Sequence, residues 1–252
     1  MEAVHNVATG NFLSITNLTV SFDGFKAVDE LNFSVDEGEL RVVIGPNGAG
    51  KTTLLDMICG KTKPTNGTIK FRDLELTQMI EYQINRAGVG RKFQTPSIYE
   101  DLTVLENLEI SYPEKRSVTG SLFFKRTAEI MEKIEIVAAQ IFLTEELGTK
   151  AGLLSHGQKQ WLEIGLCLTQ DPELLLLDEP VAGMSARERE QTAELLKSVS
   201  AGRSLVLIEH DMAFVELIAQ TVTVLHQGKL LAEGSMQEVQ NDERVIDVYL
   251  GN

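Results

Sequence analysis

The sequence contains little cysteine, no long apolar run and no excess of positive charge. Its two cysteines, Cys59 and Cys167, lie far apart in apolar surroundings, which favours buried, reduced thiols over a disulfide framework. No apolar run approaches the ~18 residues that a membrane span requires, and residues 1–12 contain no apolar signal core, so we expect neither a membrane span nor secretion. Lys and Arg number 23 against 37 Asp and Glu, which disfavours nucleic acid as a partner because such binding needs a basic face.

The chain has the length and apolar content of one α/β domain with a smaller inserted lobe, at 252 residues of which 43% are apolar. Residues 12–22 and 26–36 alternate apolar and polar positions, which predicts two strands joined by a turn at Asp23 and Gly24. Residues 40–44 form a short apolar run, which suits a strand buried on both faces.

The middle of the chain is mainly helical, and its last third alternates strands with helices. Residues 102–169 carry apolar side chains at helical spacing, with a helix over 125–143 and a polar loop over 113–121. This stretch is the candidate for the inserted lobe. After Pro172, strand-helix alternation predicts a parallel sheet with helices on its faces, and residues 235–250 are predicted to form one or two amphipathic helices.

The strongest motif is a phosphate-binding loop of the pattern G-x-x-x-x-G-K-[ST], placed between a predicted strand and a predicted helix. It consists of Gly45, Pro46, Asn47, Gly48, Ala49, Gly50, Lys51 and Thr52, with Thr53 following as a further nucleotide contact. Glycines let successive backbone N–H groups point into one concave nest, and the helix N-terminus adds partial positive charge. Lys51 is predicted to neutralise the β- and γ-phosphates of a nucleotide, and the Thr52 hydroxyl to bind Mg²⁺.

A second motif is a pair of carboxylates after a run of four leucines, Leu174–Leu177. The run fits a central strand that ends at the carboxyl edge of the sheet, where nucleotide sites lie. Asp178 would then hold Mg²⁺ beside the phosphate loop. Glu179, one residue further on, is placed to act as general base on the attacking water.

A third motif is a helix start formed by Leu154, Ser155, His156, Gly157 and Gln158. Ser155 is a good N-terminal cap, and a capped helix start that contains glycine can bind an anion. Taken alone, the segment is an ordinary helix start.

Together the three motifs resemble those of the ATP-binding subunits of ABC transporters. Leu154 to Gln158 resembles the signature of that family, L-S-G-G-Q, with Ser155, Gly157 and Gln158 kept and His156 in place of the first glycine. The resemblance implies that Ser155 and Gly157 face phosphate. Two interpretations of His156 stay open: a contact with the partner's nucleotide, and packing at the helix start, which is slightly favoured.

The same resemblance implies roles for three residues that would otherwise attract no attention. Gln94 matches the glutamine that contacts Mg²⁺ and senses the nucleotide state. His210 matches the histidine that bonds the γ-phosphate, and Phe22 matches the aromatic residue that stacks on adenine. Ser185 replaces the aspartate usual at the end of the loop after Glu179, which puts in doubt the contact between subunits that this aspartate makes.

Within the family the chain resembles the branched-chain amino acid and amide importer branch, and within that branch most closely the subunits of urea importers. Four segments carry this likeness: residues 19–27, 153–165, 179–184 and 222–251. The resemblance is weak evidence for the identity of the transported solute, because a subunit of this kind does not contact the solute.

The resemblance implies a P-loop NTPase fold of class α/β with a mostly parallel sheet, an N-terminal antiparallel β subdomain and an inserted α-helical subdomain. Residues 1–252 would form one nucleotide-binding domain. Its catalytic core and β subdomain would span 12–100 and 172–234, the helical subdomain 101–171 and a C-terminal helical tail 235–252.

The implied ligands are ATP and Mg²⁺, and the implied partners are a second ATP-binding subunit, identical or different, and two membrane permease subunits. A solute-binding protein outside the membrane would act indirectly. The chain would sit peripherally on the cytoplasmic face of the inner membrane and be soluble when isolated. Three alternatives remain: an export-type ATPase such as that of lipopolysaccharide export, an ABC ATPase of DNA repair or translation, and a non-catalytic interaction module.

Overall fold

The computed structural model describes residues 12–92, 98–112 and 127–250. Two sequence predictions, the glutamine at Gln94 and the polar loop over 113–121, lie outside the described residues. No described helix is both long enough and apolar enough to cross a bilayer.

An antiparallel sheet opens the chain. Its four strands are β1 (Leu13–Phe22), β2 (Phe25–Val35), β4 (Asn66–Phe71) and β5 (Leu74–Glu75), in the spatial order β2-β1-β4-β5. Asp23 and Gly24 join β1 to β2 with φ values of 49° and 88°, the left-handed pair that a two-residue hairpin turn requires. The predicted hairpin and its turn are therefore confirmed.

A six-stranded sheet lies next to it in the fold. Its strands are β3 (Leu40–Ile44), β6 (Val89–Lys92), β7 (Leu174–Asp178), β8 (Ser204–Ile208), β9 (Thr221–His226) and β10 (Lys229–Gly234), in the order β10-β9-β3-β8-β7-β6. All neighbours in this sheet are parallel except β10, which runs antiparallel to β9. The carboxyl ends of β3, β8 and β7 consequently meet at one edge, which is where a ligand site is expected in such sheets.

Helices cover this sheet and build the middle of the chain. Over the described residues they are α1 (Lys51–Ile58), α2 (Glu81–Arg86), α3 (Val104–Ser111), α4 (Ala128–Gln140), α5 (His156–Leu168), α6 (Ala186–Ser200), α7 (Met212–Ile218), α8 (Met236–Gln240) and α9 (Glu243–Leu250), with a 3-10 turn at Ala151–Leu153. The helix predicted over 125–143 is shorter than expected. It begins after Thr127, whose side chain caps it, and ends before Phe142, which has a φ of 59°.

The leucines of β7 divide between two apolar clusters because successive side chains of a strand point to opposite faces. Leu175 and Leu177 pack with α3, α4 and α5, whereas Leu174 and Leu176 pack with α1 and the antiparallel sheet. Strand β7 thus runs through the middle of the core, and the residue that ends it is held in a fixed position. Both cysteines are buried and free, as predicted, and burial raises the pKa of Cys167 to about 12.

Candidate functional site

The loop between β3 and α1 depends on glycine at two points where another part of the backbone comes very close. Gly45 and Gly50 have φ values of 150° and 100°. A Cβ atom at Gly45 would lie 2.2 Å from the Leu225 carbonyl oxygen, and one at Gly50 would lie 2.5 Å from that of Ala27. Only glycine can therefore give this loop its shape, as the phosphate-loop prediction requires.

Lys51, the first residue of α1, folds back over this loop. Its Nζ donates hydrogen bonds to the carbonyl oxygens of Gly45 (2.7 Å) and Pro46 (3.1 Å). Burial lowers the pKa of Lys51, and the carboxylates of Glu179 and Asp178 oppose that shift. An ammonium group and a helix N-terminus that converge on a glycine-rich loop form a site for a phosphate chain.

Asp178 ends β7 with its carboxylate fully buried. Burial raises the pKa of Asp178, and the Arg91 guanidinium and the Thr52 hydroxyl oppose that shift, although neither carboxylate oxygen makes a hydrogen bond of normal geometry in the described structure. A buried carboxylate in this condition is stabilised by a cation, and the Thr52 hydroxyl lies next to it.

These two side chains fit Mg²⁺, which is usually held by one or two protein oxygens together with substrate phosphates and water. Within the part of the chain that the structure describes, no group of three or more His, Cys, Asp or Glu side chains forms an all-protein metal cage. The site thus has the donor set of a Mg²⁺-nucleotide site. The third predicted ligand, Gln94, stays a prediction because it lies outside the described residues.

Glu179 and His210 meet at the same edge of the sheet. Glu179 has a left-handed backbone with φ of 48°, and its N–H donates to the carbonyl of Ile208, the last residue of β8 (3.0 Å). His210 follows β8 by two residues, and its Nδ1 lies 3.6 Å from Oε1 of Glu179. Both side chains are partly exposed, so water can reach them.

Two charged residues in this region were missed by sequence reasoning. Arg91 on β6 places its guanidinium 2.5 Å from a carboxylate oxygen of Asp56 and 3.8 Å from one of Asp178. Glu209 is buried, which raises its pKa, and it accepts hydrogen bonds from the N–H groups of Val181 (3.3 Å) and His210 (3.1 Å). The available signal was the same for both residues: a charge inside or directly after a buried strand.

The signature segment is capped as expected and packs on the segment after Glu179. Ser155 Oγ accepts from the N–H of Gln158 (3.2 Å), and the Gln158 side chain accepts from the N–H of Ser155 (2.9 Å). The ring of His156 reaches the carbonyl of Ala182, with Nε2 to oxygen at 2.9 Å. This contact agrees with packing at the helix start, the slightly favoured interpretation, and a contact with the partner's nucleotide stays a prediction. Ser185 caps α6 in the same way as Ser155 caps α5.

Phe22 lies at the tip of the hairpin between β1 and β2, where its ring is 49% exposed. An exposed ring on a loop is available for stacking. The structure shows no contact that tests this role, which stays a prediction.

Comparison with known proteins agrees with this geometry. The family profile described as ABC transporter matches residues 28–182, and the profile described as branched-chain amino acid ATP-binding cassette transporter matches residues 229–252. The high-affinity branched-chain amino acid transport ATP-binding protein LivG of Escherichia coli K12 is 36% identical, over 95% of this chain and 97% of that protein. BraF of Pseudomonas aeruginosa, described in the same words, is 34% identical over 95% and 97%.

Solved structures give the same result. An ATP-binding cassette of an ABC transporter in its ADP conformation superposes with a TM-score of 0.85 and 32% identity, covering 97% of this chain and all of that one. A nucleotide-free cassette superposes with the same TM-score at 31% identity. The expected ABC ATPase fold is confirmed, and the chain belongs to the ATP-binding subunits of ABC transporters, in the branched-chain amino acid importer group.

Proposed function

We propose that this chain binds ATP with Mg²⁺ at the loop between β3 and α1 and hydrolyses it with Glu179 as general base. The observation that carries the proposal is the convergence of Lys51, Asp178, Glu179 and His210 at the carboxyl edge of β3, β7 and β8. Enzymes of the ABC ATPase family hydrolyse ATP to power transport, and the four groups that this chemistry needs are present together.

In the proposed reaction, the Lys51 ammonium and the N-terminus of α1 hold the β- and γ-phosphates. Glu179 takes a proton from a water molecule whose oxygen attacks the γ-phosphorus, and the bond from that phosphorus to the β,γ-bridging oxygen breaks, which releases ADP and phosphate. His210 lies close enough to Glu179 to orient the water and the γ-phosphate. Thr52 and Asp178, with Gln94 as the third expected ligand, would hold Mg²⁺, which would supply neutralisation of the phosphate charge.

We infer that the site is completed by a second ATP-binding subunit. The helix start at Ser155 and Gly157 of one subunit would cover the γ-phosphate held by the other, because a capped helix N-terminus attracts negative charge. Closure then needs ATP, and hydrolysis removes the bridging charge. The second subunit is expected to be a different ATPase chain, and the pair would drive two membrane permease subunits that hold it at the cytoplasmic face of the inner membrane.

The solute is proposed to be a branched-chain amino acid or a small amide such as urea. The relatives LivG and BraF support the amino acid, and the four segments quoted for the urea-importer likeness support the amide. An uptake experiment distinguishes the two solutes. Vesicles that contain the assembled transporter are given labelled leucine or labelled urea, each with its own solute-binding protein. The comparisons do not favour export or a role outside transport.

The catalytic proposal is tested with Glu179→Gln in the assembled transporter. We expect ATP binding to be kept and turnover to fall by about 10²-fold or more, the scale of losing a general base. Glu194→Gln, which changes an exposed carboxylate on α6, is the matched control and should turn over like the wild type. Turnover of Glu179→Gln near that of the wild type would show that another group is the base.

The binding site is tested separately with Lys51→Ala in the isolated chain. Loss of the ammonium group should weaken ATP binding strongly, as measured by titration calorimetry. Unchanged nucleotide affinity would overturn the assignment of the phosphate loop.

A further inference from the structure

The contact between His156 and Ala182 joins two motifs that lie 26 residues apart in the sequence. His156 is the first residue of α5, and Ala182 lies in the turn that follows Asp178 and Glu179 at the end of β7. Nε2 of His156 is 2.9 Å from the Ala182 carbonyl oxygen. Because a carbonyl can only accept, Nε2 is the protonated nitrogen of the ring in this contact.

The hydrogen bonds continue from Ala182 to Glu179. The N–H of Ala182 donates to the carbonyl of Glu179 (3.3 Å), so the two residues close one tight turn. From the other side, the buried Glu209 carboxylate accepts from the N–H of Val181 (3.3 Å). The turn that carries Glu179 is thus held from the β8 side by Glu209 and from the α5 side by His156.

Glu179 needs such support because its backbone is in the left-handed region, with φ of 48°. A non-glycine residue in that conformation is held there by its surroundings. Gly183 allows the ring to come this close: it has a φ of 73°, and a Cβ atom there would lie 3.0 Å from Nε2 of His156.

We propose that His156 is a positioning residue that couples the signature helix α5 to the general base Glu179. The inference rests on the proposed function. When the start of α5 engages a nucleotide held by the second subunit, the bond to Ala182 transmits the position of the helix to the turn that carries Glu179. The glycine that the family signature has at this position has no side chain and could not make this hydrogen bond.

The test is a set of three substitutions at His156 in the assembled transporter. His156→Ala removes the donor, His156→Gln places an amide N–H close to where Nε2 was, and His156→Asn has the same amide on a side chain that is one carbon shorter. We expect kcat to fall about fivefold in the alanine and asparagine variants, the factor that one hydrogen bond commonly carries. The glutamine variant should recover most of the wild-type kcat.

Nucleotide binding and stability separate positioning from a general loss of structure. His156 is exposed, so we expect all three variants to fold, with an unchanged ATP dissociation constant in the isolated chain. Lys159→Gln is the matched control, because Lys159 lies in the same first turn of α5 but pairs with Glu100 (2.8 Å) instead of the turn after Glu179. Its kcat should equal that of the wild type.

Two outcomes would overturn the inference: a wild-type kcat in His156→Ala, or a glutamine variant as slow as the alanine variant. Failure of the inference is distinguishable from failure of the proposed function. If the wild-type transporter hydrolyses ATP and the His156 variants match it, only the coupling is wrong. If the wild type does not hydrolyse ATP, the proposed function itself fails.

Discussion

At the scale of single residues, the site depends on backbone conformations that most residues avoid. Glu179 lies in the left-handed region, and Gly45, Gly48 and Gly50 give the phosphate loop its positive φ angles. Strain of this kind persists where the surrounding structure holds it in place, and it is concentrated at functional sites. Gly45 and Gly50 are therefore required by the shape of the loop itself, apart from the phosphate that is proposed to bind there.

Gly50 provides a quantitative test of this requirement. Gly50→Ala would add both left-handed strain and a Cβ atom 2.5 Å from the Ala27 carbonyl. Gly38→Ala is the matched control, since Gly38 has a φ of 75° and no heavy atom would lie within 4 Å of its Cβ. We expect the control to lose about 1 kcal/mol of unfolding free energy and Gly50→Ala to lose at least about 1 kcal/mol more, as measured by urea unfolding. Equal losses would show that the close approach to Ala27 has no energetic consequence.

At the scale of single elements, side-chain caps determine where the helices near the site begin. Ser155, Ser185 and Asp211 each accept a hydrogen bond from the backbone N–H three residues on, at the starts of α5, α6 and α7. Asp211 also pairs with Arg189 of α6 (2.6 Å). Asp211 follows His210 directly, so the capped start of α7 helps to fix the position of His210.

Asp211 predicts a pH dependence of stability. Its hydrogen bond from the N–H of Phe214 and its pairing with Arg189 hold its pKa below 3.8, so the ionised form stabilises the folded state. That contribution is complete above pH 3.8 and is lost as the pH falls through the lowered pKa of the folded state. Asp211→Asn keeps a capping side chain but no charge. We expect it to be less stable than the wild type by about 0.5 kcal/mol at neutral pH.

The measurement is thermal unfolding of both proteins from pH 7 downwards. The gap between them should close in acid, because the protonated wild type then resembles the variant. Asp171→Asn is the control, since Asp171 also pairs with an arginine, Arg203 (2.6 Å), but caps no helix. A gap of constant size down to pH 2 would contradict the role given to the Asp211 charge.

At the scale of the whole molecule, a buried ion pair joins the six-stranded sheet to helix α5. Lys92 on β6 and Glu163 on α5 lie 3.1 Å apart, with side chains only 3% and 5% exposed. Arg91, which precedes Lys92 in the sequence, points to the opposite face of β6, toward Asp56 and Asp178. Strand β6 thus places one buried cation on the nucleotide side of the sheet and another against the signature helix.

We predict that breaking this pair costs far more than replacing it. Glu163→Gln leaves the Lys92 ammonium buried without a countercharge and should lower the unfolding free energy by about 3 kcal/mol. The double variant Lys92→Met with Glu163→Leu should stay within about 1 kcal/mol of the wild type, because packed apolar side chains replace buried ion pairs well. Urea unfolding of the single and double variants measures both. A double variant as unstable as the single one would show that the charges themselves hold sheet and helix together.

The sequence by itself determined the strands, the phosphate loop, the carboxylates after β7 and the capped start of α5. Each of these signals is local, because a glycine pattern, an apolar run or a capping residue acts on its own few neighbours. The contacts of Arg91 with Asp178, of Glu209 with Val181, and of His156 with Ala182 were decided only by the tertiary structure. The residues in these three contacts are 87, 28 and 26 positions apart, in that order. Whether such distant groups meet depends on how strands and helices pack, which no local pattern encodes.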